Sequence, residues 1–501
     1  MRINTEQATA QPEAFCKTIP LEVSAEVVLP DYRSEISRLL WVRPRFAPPT
    51  RFVGGGKADF SGACYLQALY VGPDGMLYSI THEHSYAFSV PIEGRGEEME
   101  LSAQIFPEAV ISRVSGPRKL SVRCRMHARV RGYTNKSFAV PLPEEAGEEV
   151  RLLCEAMPGG LLRVGDGESL EFAEKIALPC EGEARVILAT ARLFLPEAVA
   201  TGDGVCCRGE VVFECLCCAE DTPDAAPFTL KGRIPFEREL LLEGGGPDCQ
   251  ARAFGCVCEL NATPEAGSLL LEGRAMLMAE VQRTCELSLC RDVFWPGRRA
   301  ECSFAEERLW QAGECENLHF SISGEVSPSG IGVPQGAELL LWEADAECKE
   351  KSSENGKLRL AGEVHCQMLY RCDGEYGTAQ ASLPFLLYRE QAQDAELACC
   401  VPICRVSAER ETWRLECEVQ LALRSFISTP VRALQGVEFF PAQPIERQDV
   451  ELCYPGSDET LWEVSKRYGV SPEALAAANG ISAEGPGEPG SLGGVCFLLI
   501  P

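Results

Sequence analysis

Only five of the 501 residues are histidine and six are tryptophan, and the 47 bases are outnumbered by 74 acids. No run approaches the ~18 consecutive apolar residues that a spanning helix needs, so the sequence is not membrane-spanning. The opening segment, MRINTEQATAQPEAF, has no apolar centre, which argues against a secretory signal and for a cytosolic chain. The formal charge of −27 excludes general affinity for nucleic acid or anionic membrane outside a local basic patch. No GxSxG elbow or HExxH helix occurs. Gly54-Gly55-Gly56-Lys57 lacks the spaced first glycine and the trailing hydroxyl residue of a phosphate loop, and reads as a turn. His82-Glu83-His84 sets two imidazoles on one strand face without a third ligand at diagnostic spacing, and reads as an exposed strand pair. Neither catalysis nor a cofactor is expected, and no metal site.

Cysteine is abundant instead, at 26 residues. In a chain that is not exported these begin as thiols. Cys124, Cys215, Cys217, Cys256, Cys258, Cys366 and Cys417 fall inside strand patterns, where cysteine acts as a small hydrophobe. The adjacent pairs Cys206-Cys207, Cys217-Cys218 and Cys399-Cys400 put one thiol on each face of a sheet, which leaves cross-linking in an extracellular assembly as the alternative. Cys215 and Cys218 lack the second pair that a zinc finger needs.

The chain repeats itself. Segments opening near Gly62, Gly209 and Gly362 each run through an aromatic or cysteine-bearing strand, a polar turn and a strand that ends near Pro91, Pro235 and Pro384. The glycine spacings are 209 − 62 = 147 and 362 − 209 = 153. A later alternating strand aligns Cys124, Gly273 and Cys417, with spacings 273 − 124 = 149 and 417 − 273 = 144. A period this long indicates tandem domains rather than a solenoid. Runs of β-forming residues broken by Gly, Pro and Asp predict a mainly β chain of three antiparallel, sandwich-like units. The expected domains are 1–145, 146–295 and 296–445, followed by a small α/β tail (βααβ) at 448–501. One short helix is expected at Arg33–Leu40.

The tail predicts a strand, two helices and a strand. Leu461, Val464 and Tyr468 share a helical face. Ser471 and Pro472 start the second helix, and Asn479-Gly480 stops it. Val450, Leu452, Val495, Phe497 and Leu499 form the alternation expected of the half-buried strand faces. Thr460-Leu461-Trp462, Lys466 to Ser471, Ala478 to Ile481 and the closing Ile500-Pro501 resemble a LysM domain. That resemblance implies N-acetylglucosamine-polymer binding at the turn before the first helix and the turn after the second. The candidate binding residues are therefore Ser457, Asp458, Glu459, Thr460, Leu461 and Trp462 in the first turn, with Asn479, Gly480 and Ile481 in the second. The usual Gly-Asp-Thr turn is altered to Gly456-Ser457-Asp458-Glu459-Thr460, and the second turn opens into a long Gly- and Pro-rich loop. Val450–Pro501 holds seven acids and two bases, 2 − 7 = −5, which suits a protein partner with a basic surface better than a neutral glycan.

Leu29-Pro30-Asp31-Tyr32, Arg51 to Lys57, Leu69-Tyr70-Val71 with Asp74-Gly75, and Arg113 to Leu120 resemble the N-terminal repeat of the DUF3794, or SPOCS, family. The second and third repeats are more degenerate. SPOCS repeats ahead of a LysM domain resemble clostridial spore-coat morphogenetic proteins. The resemblance implies a mother-cell protein at the forespore surface that binds a coat-basement ATPase or other coat proteins through its LysM domain. A peptidoglycan-binding wall protein is the alternative.

A last feature is local charge. Ala109–Pro143 carries eight bases and no acid. Arg123, Arg125, His127, Arg129 and Arg131 alternate with Val122, Cys124, Met126, Ala128 and Val130. With Arg113, Arg118 and Lys119, these arginines make a candidate docking strip for an acidic partner or for self-association. The competing reading is a solvated strip neutralised by Glu97, Glu98 and Glu100.

Overall fold

The computed structural model describes residues 9–92, 99–137, 150–179, 184–219, 227–390, 392–408, 412–441, 451–456, 459–481, 492 and 495–501. The first unit holds β1 (Thr9–Ala10), β2 (Glu13–Val28), β3 (Arg38–Phe46), β4 (Thr50–Gly54), β5 (Lys57–Val71), β6 (Leu77–Pro91), β7 (Met99–Gly116), β8 (Lys119–Thr134) and β9 (Lys136–Ser137). The second holds β10 (Arg151–Val164), β11 (Glu168–Ala177), β12 (Ala184–Ala200), β13 (Gly204–Ala219), β14 (Phe228–Leu241), β15 (Gln250–Glu265) and β16 (Ser268–Phe294). The third holds β17 (Arg298–Val326), β18 (Glu338–Glu354), β19 (Lys357–Cys372), β20 (Glu375–Glu390), β21 (Asp394–Ala408) and β22 (Trp413–Pro441), with a 3-10 turn at Ser329–Ile331. The tail adds β23 (Glu451–Cys453), α1 (Leu461–Tyr468), α2 (Pro472–Asn479) and β24 (Leu498–Ile500).

Each unit pairs two antiparallel sheets. In the first, β2-β8-β7 faces β3-β5-β6; in the third, β17-β22-β21 faces β18-β19-β20. In the second, β10 and β11 share one edge of β16, β15 takes the other, and β12-β13-β14 forms the facing sheet. Alternate residues from both sheets interdigitate into one core per unit: Phe60, Cys64, Val122 and Met126 in the first, Phe213, Cys215, Leu271 and Leu277 in the second, Cys366, Met368, Leu415 and Val419 in the third. On β8, Val122, Cys124, Met126, Ala128 and Val130 all turn inward, as their alternation predicts. The repeated glycines have a steric cause. A Cβ at Gly362 would stand 2.3 Å from both the Glu347 carbonyl oxygen and the Phe385 ring, and one at Gly209 would stand 2.4 Å from the Phe194 carbonyl oxygen. In both units the glycine lets a facing aromatic ring lie across the strand.

The units close around a common axis. Ser79 donates to the Ile187 carbonyl across the first and second units at 2.6 Å, and Thr229 repeats that bond to Leu340 across the second and third at 2.8 Å. Arg38 donates to the Tyr376 carbonyl and joins the third unit back to the first. Equivalent residues of all three units, Leu69, Leu216 and Leu369 among them, meet in one apolar cluster. The helix expected at Arg33–Leu40 does not form. Residues 31–37 are turns and irregular chain, and Arg38 already begins β3. Arg118 holds this loop by donating to the carbonyls of Pro30, Asp31 and Arg33. The expected boundaries at 145/146 and 445–448 lie outside the described residues. No helix among the described residues is long and apolar enough to cross a membrane.

Candidate functional site

The tail is built from local signals. Thr460 caps α1 and forms a reciprocal capping box with Glu463, while Gly469 ends the helix at φ 65°. Ser471 caps α2, Pro472 opens it, and Gly480 ends it at φ 62°. Leu461, Val464, Leu475, Cys453, Leu498 and Ile500 form the core. Val450 lies outside the described residues and Val495 packs against the core as expected, but Leu452, Phe497 and Leu499 take the opposite phase. Cys453, Leu498 and Ile500 point into the helices, while Leu452, Tyr454, Phe497 and Leu499 are exposed by 46, 72, 55 and 38 %. Leu452 lies directly across from Leu499, so the outer face of this two-stranded ribbon is a contiguous apolar surface.

The candidate turn residues divide by role. Ser457 and Asp458 lie outside the described residues. Glu459 pairs with Arg467, and Thr460 is used as a cap. Leu461 is core. Asn479 donates to the Leu475 and Leu499 carbonyls at 2.8 Å and accepts from the Leu499 amide at 2.6 Å, clamping β24 onto α2. Ile481 packs against the core. Trp462 is buried against the body: its Nε1 donates to Asp292 at 2.9 Å, and its ring meets Phe294 edge-on at 6.1 Å between centroids. Lys466 reaches the same carboxylate at 2.6 Å, and Arg151 pairs with Glu473 at 3.2 Å. The first helix therefore seats the tail on the end of β16, with the ribbon face left open.

The basic strip is corrected at one end. Arg131 is buried, not exposed, and contacts Glu13 at 3.2 Å, Glu396 at 3.2 Å and also Asp394. The alternation of β8 does turn it away from its own core, but the neighbouring units cover that face. Arg118 is likewise committed, to the 30–33 carbonyls and to Glu35 at 3.4 Å. Arg113, Lys119, Arg123 and Arg125 are exposed, and Arg129 is half-buried over the Phe106 ring. Glu22, 3.3 Å from Arg123, is the neighbouring acid; Glu100 instead serves Arg51 and Arg163. Glu97 and Glu98 lie outside the described residues.

Arg131 belongs to a charged cluster that sequence reasoning missed. Arg131, Glu280 and Arg424 occupy equivalent positions on β8, β16 and β22, each opposite a polar partner: Ser102, Arg252 and Glu396. Arg252 and Arg424 are fully buried, and each lies 2.5 Å from a carboxylate, Glu280 and Glu396 respectively. Ser102 donates to both carboxylates. Burial alone would raise the pKa of Glu396, but Arg424, Arg252 and Arg131 together hold it down to about 2. A second polar layer joins Arg43 and Arg192 to Glu343 and Asp345. Asp345 is crowded by protein, which opposes its ionisation, and Arg192, Arg43 and Arg45 outweigh that and lower its pKa. Yet its side chain is 68 % accessible. The signal for the first layer was the repeat itself, which places charge at 131, 280 and 424.

His82 and His84 are half-buried with rings 6.4 Å apart. The metal-compatible cluster among the described residues is elsewhere, at Cys366, Cys404 and Cys417. Of the adjacent cysteine pairs, Cys217 and Cys218 are both buried, and Cys399 and Cys400 are both half-buried.

Residues 456–485 match the LysM domain family. No curated protein and no solved structure matches the chain. Behind its β-rich body the chain carries a LysM domain, a module of carbohydrate or protein recognition.

Proposed function

We propose that this chain is a non-enzymatic assembly protein whose three β units form a framework and whose LysM domain grips another polypeptide. One observation carries the reading: Leu452, Tyr454, Phe497 and Leu499 form an open apolar face on the tail, the composition of a protein contact. The turn residues support it as well, since Thr460, Asn479 and Trp462 are engaged within the chain. The resemblance of the first unit to SPOCS repeats gives the setting. There the partner is a coat-basement ATPase or another coat protein, and the site of action is the mother-cell cytoplasm at the forespore surface. Arg113, Lys119, Arg123 and Arg125 add a cationic contact for an acidic partner, which a second copy of this chain at −27 supplies.

The test uses the full chain with a purified coat ATPase. Replacing Leu452, Tyr454, Phe497 and Leu499 by serine should weaken binding at least tenfold with the fold retained. The rival reading is a peptidoglycan binder, which the LysM match keeps in play. Micromolar binding of chitin oligomers, with no ATPase binding, would establish that rival. Reversing Arg123 and Arg125 to Glu should reduce self-association in sedimentation at low salt and leave the apolar contact unchanged.

A further inference from the structure

Cys366 on β19, Cys404 on β21 and Cys417 on β22 bring three buried sulfurs together in the core of the third unit, all within 4.8 Å of one another. Cys417 Sγ lies 3.3 Å from Cys404 Sγ and 3.7 Å from Cys366 Sγ. We propose that these three thiols form a trigonal thiolate site for a soft monovalent cation, copper(I).

Packing does not require sulfur here. The paired positions on the outer two strands differ in the other units: Val110 faces Cys124 in the first and Leu260 faces Gly273 in the second, where Cys404 faces Cys417 in the third. Only the third unit fills both of these paired positions with thiols. The geometry suits three-coordination. Metal–thiolate bonds of ~2.3 Å in a planar trigonal set hold their sulfurs about 4.0 Å apart. The observed spacing reaches that value after a small outward rotation of the side chains. The donor set selects the ion: three thiolates with no imidazole or carboxylate in the group favour a soft cation, whereas structural zinc takes four ligands.

The nearby cations come from the other units, where they also pair with Glu343 and Asp345. A monovalent ion on three thiolates leaves two negative charges. Arg43 of the first unit and Arg192 of the second both act on Cys366. Trp342 Nε1 donates to the Cys404 carbonyl at 2.7 Å and fixes the backbone at the second ligand. The ion would thus be held within one unit, with guanidiniums of the other two acting on one of its ligands.

Full-length protein, purified reduced and without oxygen, is titrated with copper(I) buffered by bicinchoninate. One equivalent should bind more tightly than the rest, and X-ray absorption at that stoichiometry should show three sulfur neighbours at roughly 2.3 Å. C404S and C417S should each abolish the tightest equivalent, while C16S and C372S, outside the cluster, should retain it. Should the core variants fail to fold, the absorption spectrum of the unaltered chain decides alone. Two-sulfur or nitrogen-rich coordination overturns the proposal. So does an undiminished tight equivalent in folded C404S.

Discussion

Glu396 shows how much one residue carries. It is 3 % exposed and lies within 3.5 Å of Arg131, Arg252 and Arg424. Removing its charge leaves the fully buried Arg252 and Arg424 to share Glu280 alone, so E396Q should cost about 3–5 kcal/mol of unfolding free energy, measured in urea at pH 7. The acid response follows from the same group. Its folded pKa of about 2 lies below the value of a free carboxyl. Its contribution is therefore complete above pH ~4.5 and is lost as pH falls through 4.5 toward 2. Unaltered protein should lose stability across that window, and E396Q should lose less. Much of the residue-level pattern was legible: the inward set on β8 followed its alternation. Arg131 was misplaced because alternation identifies the face opposite a strand's own core but not what covers that face.

At the scale of elements, the tail helices followed their caps because capping is local chemistry. Its strands did not follow the expected phase. Phe497-Leu498-Leu499-Ile500 is apolar at every position, and Leu452 stands beside Cys453, so both phases offer an apolar face. The choice is made by α1 and α2, which bury Cys453, Leu498 and Ile500. The helix expected at Arg33–Leu40 failed for a similar reason: Arg118, distant in sequence, takes the Arg33 carbonyl that a helix would have paired internally. The seat of the tail was invisible in sequence because it joins Trp462 to Asp292, 170 residues apart. D292A should weaken that seat by about 1–2 kcal/mol. Amide exchange in α1 should then rise while exchange in β22 stays unchanged. Equal protection of α1 in the variant would show that Asp292 does not hold it.

For the whole molecule, the repeat of about 150 residues was readable, but closure into a ring was not, since periodicity counts units without saying which faces meet. Closure makes the units interdependent. Unit three taken alone would expose Leu340, Leu341 and Leu369 and leave Arg424 without Glu280. Residues 298–441 expressed separately should therefore aggregate or remain molten, whereas the full body should unfold in one transition in urea. Three transitions in the full chain would mean independent units. The framework matters to function because it carries the tail by α1 and leaves the opposite, apolar ribbon face outward. The most direct measurement is titration calorimetry of the full chain, unaltered and with Leu452, Tyr454, Phe497 and Leu499 changed to serine, against purified coat ATPase and against chitin oligomers. The account predicts ATPase binding that falls at least tenfold in the altered chain, and no micromolar binding of the sugar. Equal ATPase affinity in both chains, or micromolar sugar binding without ATPase binding, would contradict it.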